Sequence, residues 1–504
     1  MRANEVEPMD DHNQVLVENT HPSDWKNPEP AERYNIVVIG AGTAGLVTAS
    51  GAAGLGARVA LVERGLFGGD CLNVGCVPSK CLIRSARVAQ EARDTDRFGV
   101  RVSGVEVDFP AVMDRVRRLR ARISKHDAIE KFVDKGIDVF LGEGRFVGPH
   151  CVEVGEQRLD FDKAVIATGS RPRKPEVEGI EEAGYLTNET IFNLTECPDR
   201  LLVIGGGPLG CELAQAMQRL GSQVCIAERA SQFLRREDSD AAQILAESFR
   251  RDGIDVMLNT QAERISRDGD ERVVQIVTDG QERTIHVDEI LVGIGRQPNV
   301  EDLNLETAGI EYTKRHGVEV DDRLRTTNHD VFAAGDVCLK HKFTHTADAA
   351  ARIVVQNALF WGRKKFSAQT IPWCTYTDPE IAHVGMYEHE AREQDIEVAT
   401  FVQPLEEVDR AVADGEDEGF VKVHVRKGSD EILGATIVAR HAGEMLSEIT
   451  TAINGDVGLG EIAHVIHPYP TQAEGIRHTA DAYNRTRLTP LAQKLTSSLM
   501  SWRR

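Results

Sequence analysis

The stretch YNIVVIGAGTAG, Tyr34–Gly45, decides the first half of the fold. An apolar run ending at Ile39 feeds Gly40-x-Gly42-x-x-Gly45, and small residues follow in a helical pattern. Glycines at these places permit a tight strand-to-helix turn and bring a pyrophosphate close to a helix N-terminus. Alone, such a triplet is a weak signal. The run ARVALVE then ends in Glu63, 23 residues past Gly40, where a carboxylate can accept both hydroxyls of a ribose. The pattern recurs. LLVIGGGPLG, Leu201–Gly210, carries Gly205-x-Gly207-x-x-Gly210, and SQVCIAE ends in Glu228, again 23 residues past the first glycine. GARVALVE and GSQVCIAE each start 16 residues past that glycine. Motif and spacing coincide twice, which predicts two dinucleotide-binding domains in tandem.

The bulk numbers set bounds. A chain of 504 residues exceeds one ordinary core and suggests three or four domains. It is 41% hydrophobic and 28% charged, as soluble globular proteins are. No apolar run reaches the ~18 residues a membrane helix needs. The first 33 residues are acidic and polar and lack the apolar core of a secretory signal; they read as a flexible tail with room for a short docking element. A net charge of −21 argues against a nucleic-acid partner and serves solubility. Nine scattered cysteines, an odd number in a long chain, do not form a secreted disulfide framework, so a cytoplasmic protein with mostly buried free thiols is expected.

One cysteine pair stands apart. GGDCLNVGCVPSK, Gly68–Lys80, places four residues between Cys71 and Cys76; Cys81 lies nearby in a helix-like run. The spacing alone admits a metal site, a structural staple or a redox pair. No second CxxC or histidine pair lies close enough in sequence to suggest zinc. So small a ring adds little entropic stabilisation, and a cytosolic environment would reduce it. Two dinucleotide sites favour the third option: NAD(P)H donates hydride, and a flavin dinucleotide can accept it and reduce a disulfide. Cys71–Cys76 is expected to be a redox disulfide stacked on a flavin.

With these residues in view, the chain resembles the class I pyridine nucleotide–disulfide oxidoreductases, which include dihydrolipoamide dehydrogenase, glutathione reductase and mercuric reductase. The resemblance covers about residues 34–485. Its further motifs are ATGS (Ala167–Ser170), GRQPN (Gly295–Asn299), FAAGDV (Phe332–Val337) and PYPTQAEG (Pro468–Gly475). It implies an α/β protein with two tandem Rossmann-like domains, for FAD and NAD(P), plus a C-terminal α+β dimerisation domain closing a homodimer. The expected division is a tail over 1–33, the FAD domain over 34–170 and the NAD(P) domain over 171–299. A central segment over 300–370 returns to the FAD domain, an interface domain covers 371–485, and an amphipathic helix covers 486–504. The alternating runs GFVKVHVRK and EILGATIVA fit antiparallel strands with one wet face.

The resemblance also implies roles. Cys71 would be the interchange thiol and Cys76 the charge-transfer thiol, its pKa lowered near a helix N-terminus. Pro78 suits a first helical turn. Lys80 would reach the flavin and pair with Glu212. FAD would be held by Gly40, Gly42, Gly45, Glu63, Lys80, Gly144, Thr168, Gly169 and Asp336. NAD(P)H would be held by Gly205, Gly207, Gly210, Glu228, Arg229, Arg235 and Gly295. Glu228 favours NADH, while Arg229 and Arg235 fall where NADP-dependent relatives place their arginines. NADH is favoured and NADPH stays open.

The chain also departs from the pattern. Family members carry a histidine five residues before a glutamate, from the partner subunit, to handle thiol protons. Here Tyr469 precedes Glu474 at that spacing, with His467 two residues upstream. A phenol is a poor base at neutral pH. Tyrosine at this place resembles mercuric reductase, as do KFTHTADAAARIVVQNALF and GGGPLGCELAQ. Yet there is no N-terminal metal-binding CxxC and no C-terminal cysteine pair, Cys374 being the last cysteine and reading as a core thiol. No resident metal is expected. The small-molecule acceptor is a thiol-bound metal or a disulfide, with Hg(II) foremost. The rivals are dihydrolipoamide dehydrogenase and a non-catalytic flavoprotein redox sensor. Leu488, Leu491, Leu495, Leu499 and Trp502 fall near one helical face; this helix packs on the dimer or makes a weak peripheral membrane contact.

Overall fold

The computed structural model describes residues 5–360 and 362–503. The chain divides into two compact units: residues 1–233 with 253–369, and residues 234–252 with 370–504.

The helices used below are α1 (Asp11–Thr20), α2 (Thr43–Gly54), α3 (Gly69–Asn73), α4 (Cys76–Arg93), α5 (Phe109–Ser124), α6 (Pro208–Leu220), α7 (Ser239–Asp252), α8 (Thr344–Leu359), α9 (Glu474–Thr486) and α10 (Pro490–Trp502). In the first unit, Tyr34–Ile39 lies between Val59–Glu63 and Gln157–Ile166; Ile137–Leu141 and Val331–Ala333 flank these, and all five strands run parallel. Ile36 and Val38 belong to one core, Val37 and Ile39 to another. Both faces of the sheet are therefore covered, which is why the strand reads as an unbroken apolar run. A second parallel sheet repeats the order: Arg200–Ile204 lies between Gln223–Ala227 and Glu289–Val292, with Asp255–Met257 beyond Gln223–Ala227. The registers match, Ile39 facing Val62 and Ile204 facing Ala227. The two-stranded ladder of Ser170–Pro172 and Arg296–Pro298 is where the chain leaves the first sheet and returns to it.

The second unit is built on a five-stranded antiparallel sheet. Its order is Pro372–Thr375, Glu380–Gly385, Ile432–Ala439, Phe420–Arg426, Val398–Pro404. Residues 234–252, inside the stretch expected to bind NAD(P), belong here. Glu237 takes hydrogen bonds from Trp373 Nε1 (2.9 Å) and the Tyr387 hydroxyl (2.7 Å), and Asp238 and Asp240 pair with Lys422.

The N-terminal stretch is not a flexible tail over its described part. It carries α1, capped by Asp10, with Leu16 fully buried. This helix fills the place left for a short docking element, since a few apolar side chains plus polar anchors suffice to dock it. At the other end, α10 forms as expected but buries none of its residues. Among the described residues no helix is long and apolar enough to cross a membrane.

Candidate active site

Both glycine turns are built alike. The amides of Gly40 and Gly205 donate to Val62 O (2.8 Å) and Ala227 O (2.9 Å). A Cβ on Gly45 would stand 1.7 Å from Gly40 O, and one on Gly210 2.1 Å from Gly205 O, so each helix starts hard against its turn. Glu63 accepts from Ala41 N (2.6 Å) and Gly65 N (2.7 Å); Glu228 accepts from Gly206 N (2.7 Å) and Ala230 N (2.8 Å). The shared spacing of 23 residues thus has a cause: it returns a carboxylate to the turn that precedes it. α2 and α6 start at Gly42 and Gly207 without a side-chain cap, so their first-turn amides and positive dipole ends are left for an anion.

The thiols sit where α3 passes into α4. Cys76 is the first residue of α4, behind Gly75. Its thiol is pulled down to about 6, first by a hydrogen bond from Cys71, then by Thr344 and the Lys80 cation, against burial and Glu212. Cys71 is pushed far up by the same sulfur–sulfur contact and by burial. Neither thiol is bridged. The pair therefore divides its labour, with a thiolate at Cys76 and a proton-bearing thiol at Cys71. Lys80, one turn along α4, meets Glu212 of α6 at 2.7 Å, the pairing expected from the sequence. Thr344 Oγ1, at the start of α8, lies 3.4 Å from Cys76 Sγ; it falls within the phrase KFTHTAD, which by itself gives no sign of a role beside the thiols.

A network links the short motifs. Arg296 of GRQPN holds Asp70, next to Cys71, and donates to Ser170 Oγ at 2.7 Å; Ser170 in turn donates to Asp336 at 2.6 Å. Thr168 Oγ1 donates to Asn299 O (2.7 Å), and Asn299 N to Gly169 O (3.0 Å). Gly144 packs against Val62, and Gly295 adopts φ +110°. Arg229 and Arg235 are both exposed, and Arg235 falls in the second unit.

A cavity of about 570 Å³ is lined by Leu46, Val47, Ser50, Asp127, Lys135 and Arg352, among others. Asp127, whose carboxyl is raised by burial, acts electrostatically on Cys71. Sequence reasoning gave no sign of it. No group of three or more His, Cys, Asp or Glu side chains among the described residues is arranged to hold a metal ion.

In the second unit, Tyr469 is 72% exposed and its hydroxyl donates to Asp409 at 2.9 Å, which raises its pKa further. Glu474, buried at the start of α9, pairs with Arg477 at 3.2 Å. His467 has both ring nitrogens on acceptors, Glu448 (2.9 Å) and Val465 O (3.1 Å).

A family model described as pyridine nucleotide-disulphide oxidoreductase matches residues 34–352, and the dimerisation domain of the same family matches residues 371–480. This chain belongs to the pyridine nucleotide-disulphide oxidoreductases. It is 33% identical to a mercuric reductase of Bacillus cereus, over 90% of this chain and 72% of that one. It is 34% identical to a dihydrolipoyl dehydrogenase of Chlamydia muridarum, over 88% and 95%. Among solved structures, the Cu(II) complex of the HOCl-induced flavoprotein disulfide reductase RclA from Escherichia coli superposes with a TM-score of 0.79 at 30% identity, covering 88% and 98%. The chain is an α/β oxidoreductase of a family that uses FAD and NAD(P)H and forms homodimers through its dimerisation domain. The residues present fit those cofactors: two uncapped helix N-termini suit two pyrophosphates, and two backbone-anchored carboxylates suit two riboses.

Proposed function

We propose that this oxidoreductase takes two electrons from NAD(P)H, NADH in preference, and delivers them through Cys71 and Cys76 to a thiophilic metal ion, in the manner of a mercuric reductase. The division of the thiol pair into a Cys76 thiolate and a protonated Cys71 carries the reading. FAD, when bound, relays the electron pair between nicotinamide and disulfide. The chain does the rest. Glu63 and Glu228 orient the two riboses, and Glu228 repels a 2′-phosphate. Lys80, held by Glu212, supplies a cation where negative charge develops. Cys71 gives its proton to the thiol ligand it displaces as its sulfur bonds the metal, and soft thiolates bind soft metal ions. One NAD(P)H reduces one bound Hg(II) to Hg(0), with its two electrons passing by way of the thiols. Tyr469 and Glu474 would approach from the partner subunit.

Tyr469, hydrogen-bonded to a carboxylate, does not replace the imidazole a lipoamide reaction uses, and His467 is already engaged. That a relative at 30% identity forms a Cu(II) complex supports copper as the second acceptor to try. The test is NADH and NADPH oxidation by holoenzyme with Hg(II) in excess thiol, Cu(II) or lipoamide disulfide. Metal-dependent turnover lost in Cys71→Ala is expected; turnover of lipoamide alone would sink the reading.

A further inference from the structure

The redox loop is fastened from behind by a segment outside the stretch matched to the family. Arg120 of α5 is wholly buried. Its Nη1 donates to Asn73 O at 2.7 Å, on the backbone between the two cysteines. Its Nη2 donates to Asn13 Oδ1 at 2.7 Å. Asn13, also wholly buried, donates from its amide to Pro8 O (2.8 Å), and its backbone N–H is capped by Asp10 (2.9 Å). Asp10 also takes Arg117 Nε at 2.5 Å. Two more attachments lie just upstream of the loop: Phe67 N donates to Thr20 O (3.1 Å), and His21 Nδ1 to Gly65 O (2.8 Å). Val6 and Leu16 form one small core with Leu66 and Leu72, and Leu72 adjoins Cys71. So the segment grips the loop before, beside and between the thiols.

The loop needs such a grip. It turns through Gly68 and Gly69 at φ +87° and +57°, conformations that store no side-chain packing of their own. Its backbone must hold both cysteines as free thiols, with Cys76 Sγ at the start of α4 and 3.4 Å from Thr344 Oγ1. A buried guanidinium offers rigid, paired donors, and burying it is costly unless its acceptors stay in place. Asn13 is such an acceptor, so its loss frees half of the guanidinium that fixes Asn73.

We propose that residues 6–21 act as a built-in clamp on the redox loop, with Asn13 a positioning residue that works through Arg120 on Asn73 and favours the dithiol over the disulfide. This rests on the reading of Cys71 and Cys76 as the redox pair.

The experiment equilibrates FAD-loaded enzyme with reduced and oxidised dithiothreitol, the protein dithiol giving two electrons and two protons to the cyclic disulfide. The oxidised fraction is read by thiol trapping. Wild-type protein that does not exchange at all would refute the redox reading itself, separately from the clamp. Asn13→Leu removes the acceptor and should shift the equilibrium constant at least tenfold towards the protein disulfide, or 30 mV for a two-electron couple. Asn13→Asp keeps an acceptor and should restore the constant to within threefold of wild type. Asp10→Asn retains the helix cap while discharging the partner of Arg117. It keeps the test available if Asn13→Leu does not fold, with at least a threefold shift the same way. Constants within twofold of wild type in every folded variant that keeps its flavin would overturn the clamp, leaving the segment a mere space-filler.

Discussion

At the scale of the residue, Cys76 is acidic chiefly because Cys71 donates to it, with Thr344 and Lys80 as lesser causes. A thiolate persists above its pKa and is lost below it. The thiolate-to-flavin charge-transfer absorbance of the two-electron-reduced enzyme should therefore fade as pH falls through about 6. It should be missing altogether in Cys76→Ser. In Cys71→Ala the strongest lowering influence is gone, so the midpoint should rise towards the ordinary thiol value of about 8.5. A spectrophotometric pH titration decides, and an unmoved midpoint would assign the acidity to Lys80 instead. The Lys80–Glu212 contact was legible in the sequence because each residue lies at a fixed offset from a recognisable motif. The Arg296–Asp70 contact was not, for it joins positions 226 residues apart through the closing of two strands. Asp127 was equally hidden, since burial rather than sequence context gives it its character.

At the scale of the element, the two strand–turn–helix units leave no space for a side chain at their third glycine. Gly45→Ala would press a methyl into Gly40 O and should yield protein with less than about a tenth of its flavin, measured by absorbance ratio. Gly210→Ala should instead keep the flavin and lose NAD(P)H binding. Glu228→Ala removes an acceptor worth about 1.4 kcal/mol or more, which predicts a KM for NADH raised about tenfold. The flavin content should not change, and the preference should move towards NADPH. Steady-state kinetics with both nucleotides will show whether it does. Apolar runs, glycine spacing and the acid 23 residues on made both turns readable. What the spacing alone did not reveal is that each acid is bound by its own turn before any ribose arrives.

At the scale of the whole molecule, the two ends of the chain differ in what they bury. α10 exposes Leu491, Leu495, Leu499 and Trp502 and buries nothing, whereas α1 buries Leu16, Asn13 and Thr20. Truncation after Thr486 should shift the thermal midpoint by less than about 2 °C, while removal of residues 1–21 should cost several degrees. Differential scanning calorimetry of the two truncated holoenzymes makes the comparison. The sequence left room for a docking element at the N-terminus but gave no measure of how firmly it is held, because mean hydropathy counts apolar residues and ignores the polar anchors that fasten α1. That fastening also has a consequence during synthesis. Asp10 and Asn13 leave the ribosome early, but the arginines that receive them follow 107 residues later. Closing so long a loop carries an entropic cost of about 4 kcal/mol. The nascent chain must therefore wait, with Cys71 and Cys76 already emerged and their backing not yet made. Through that interval the thiols are open to any oxidant in the cell, and the speed of translation through α5 sets how long the exposure lasts.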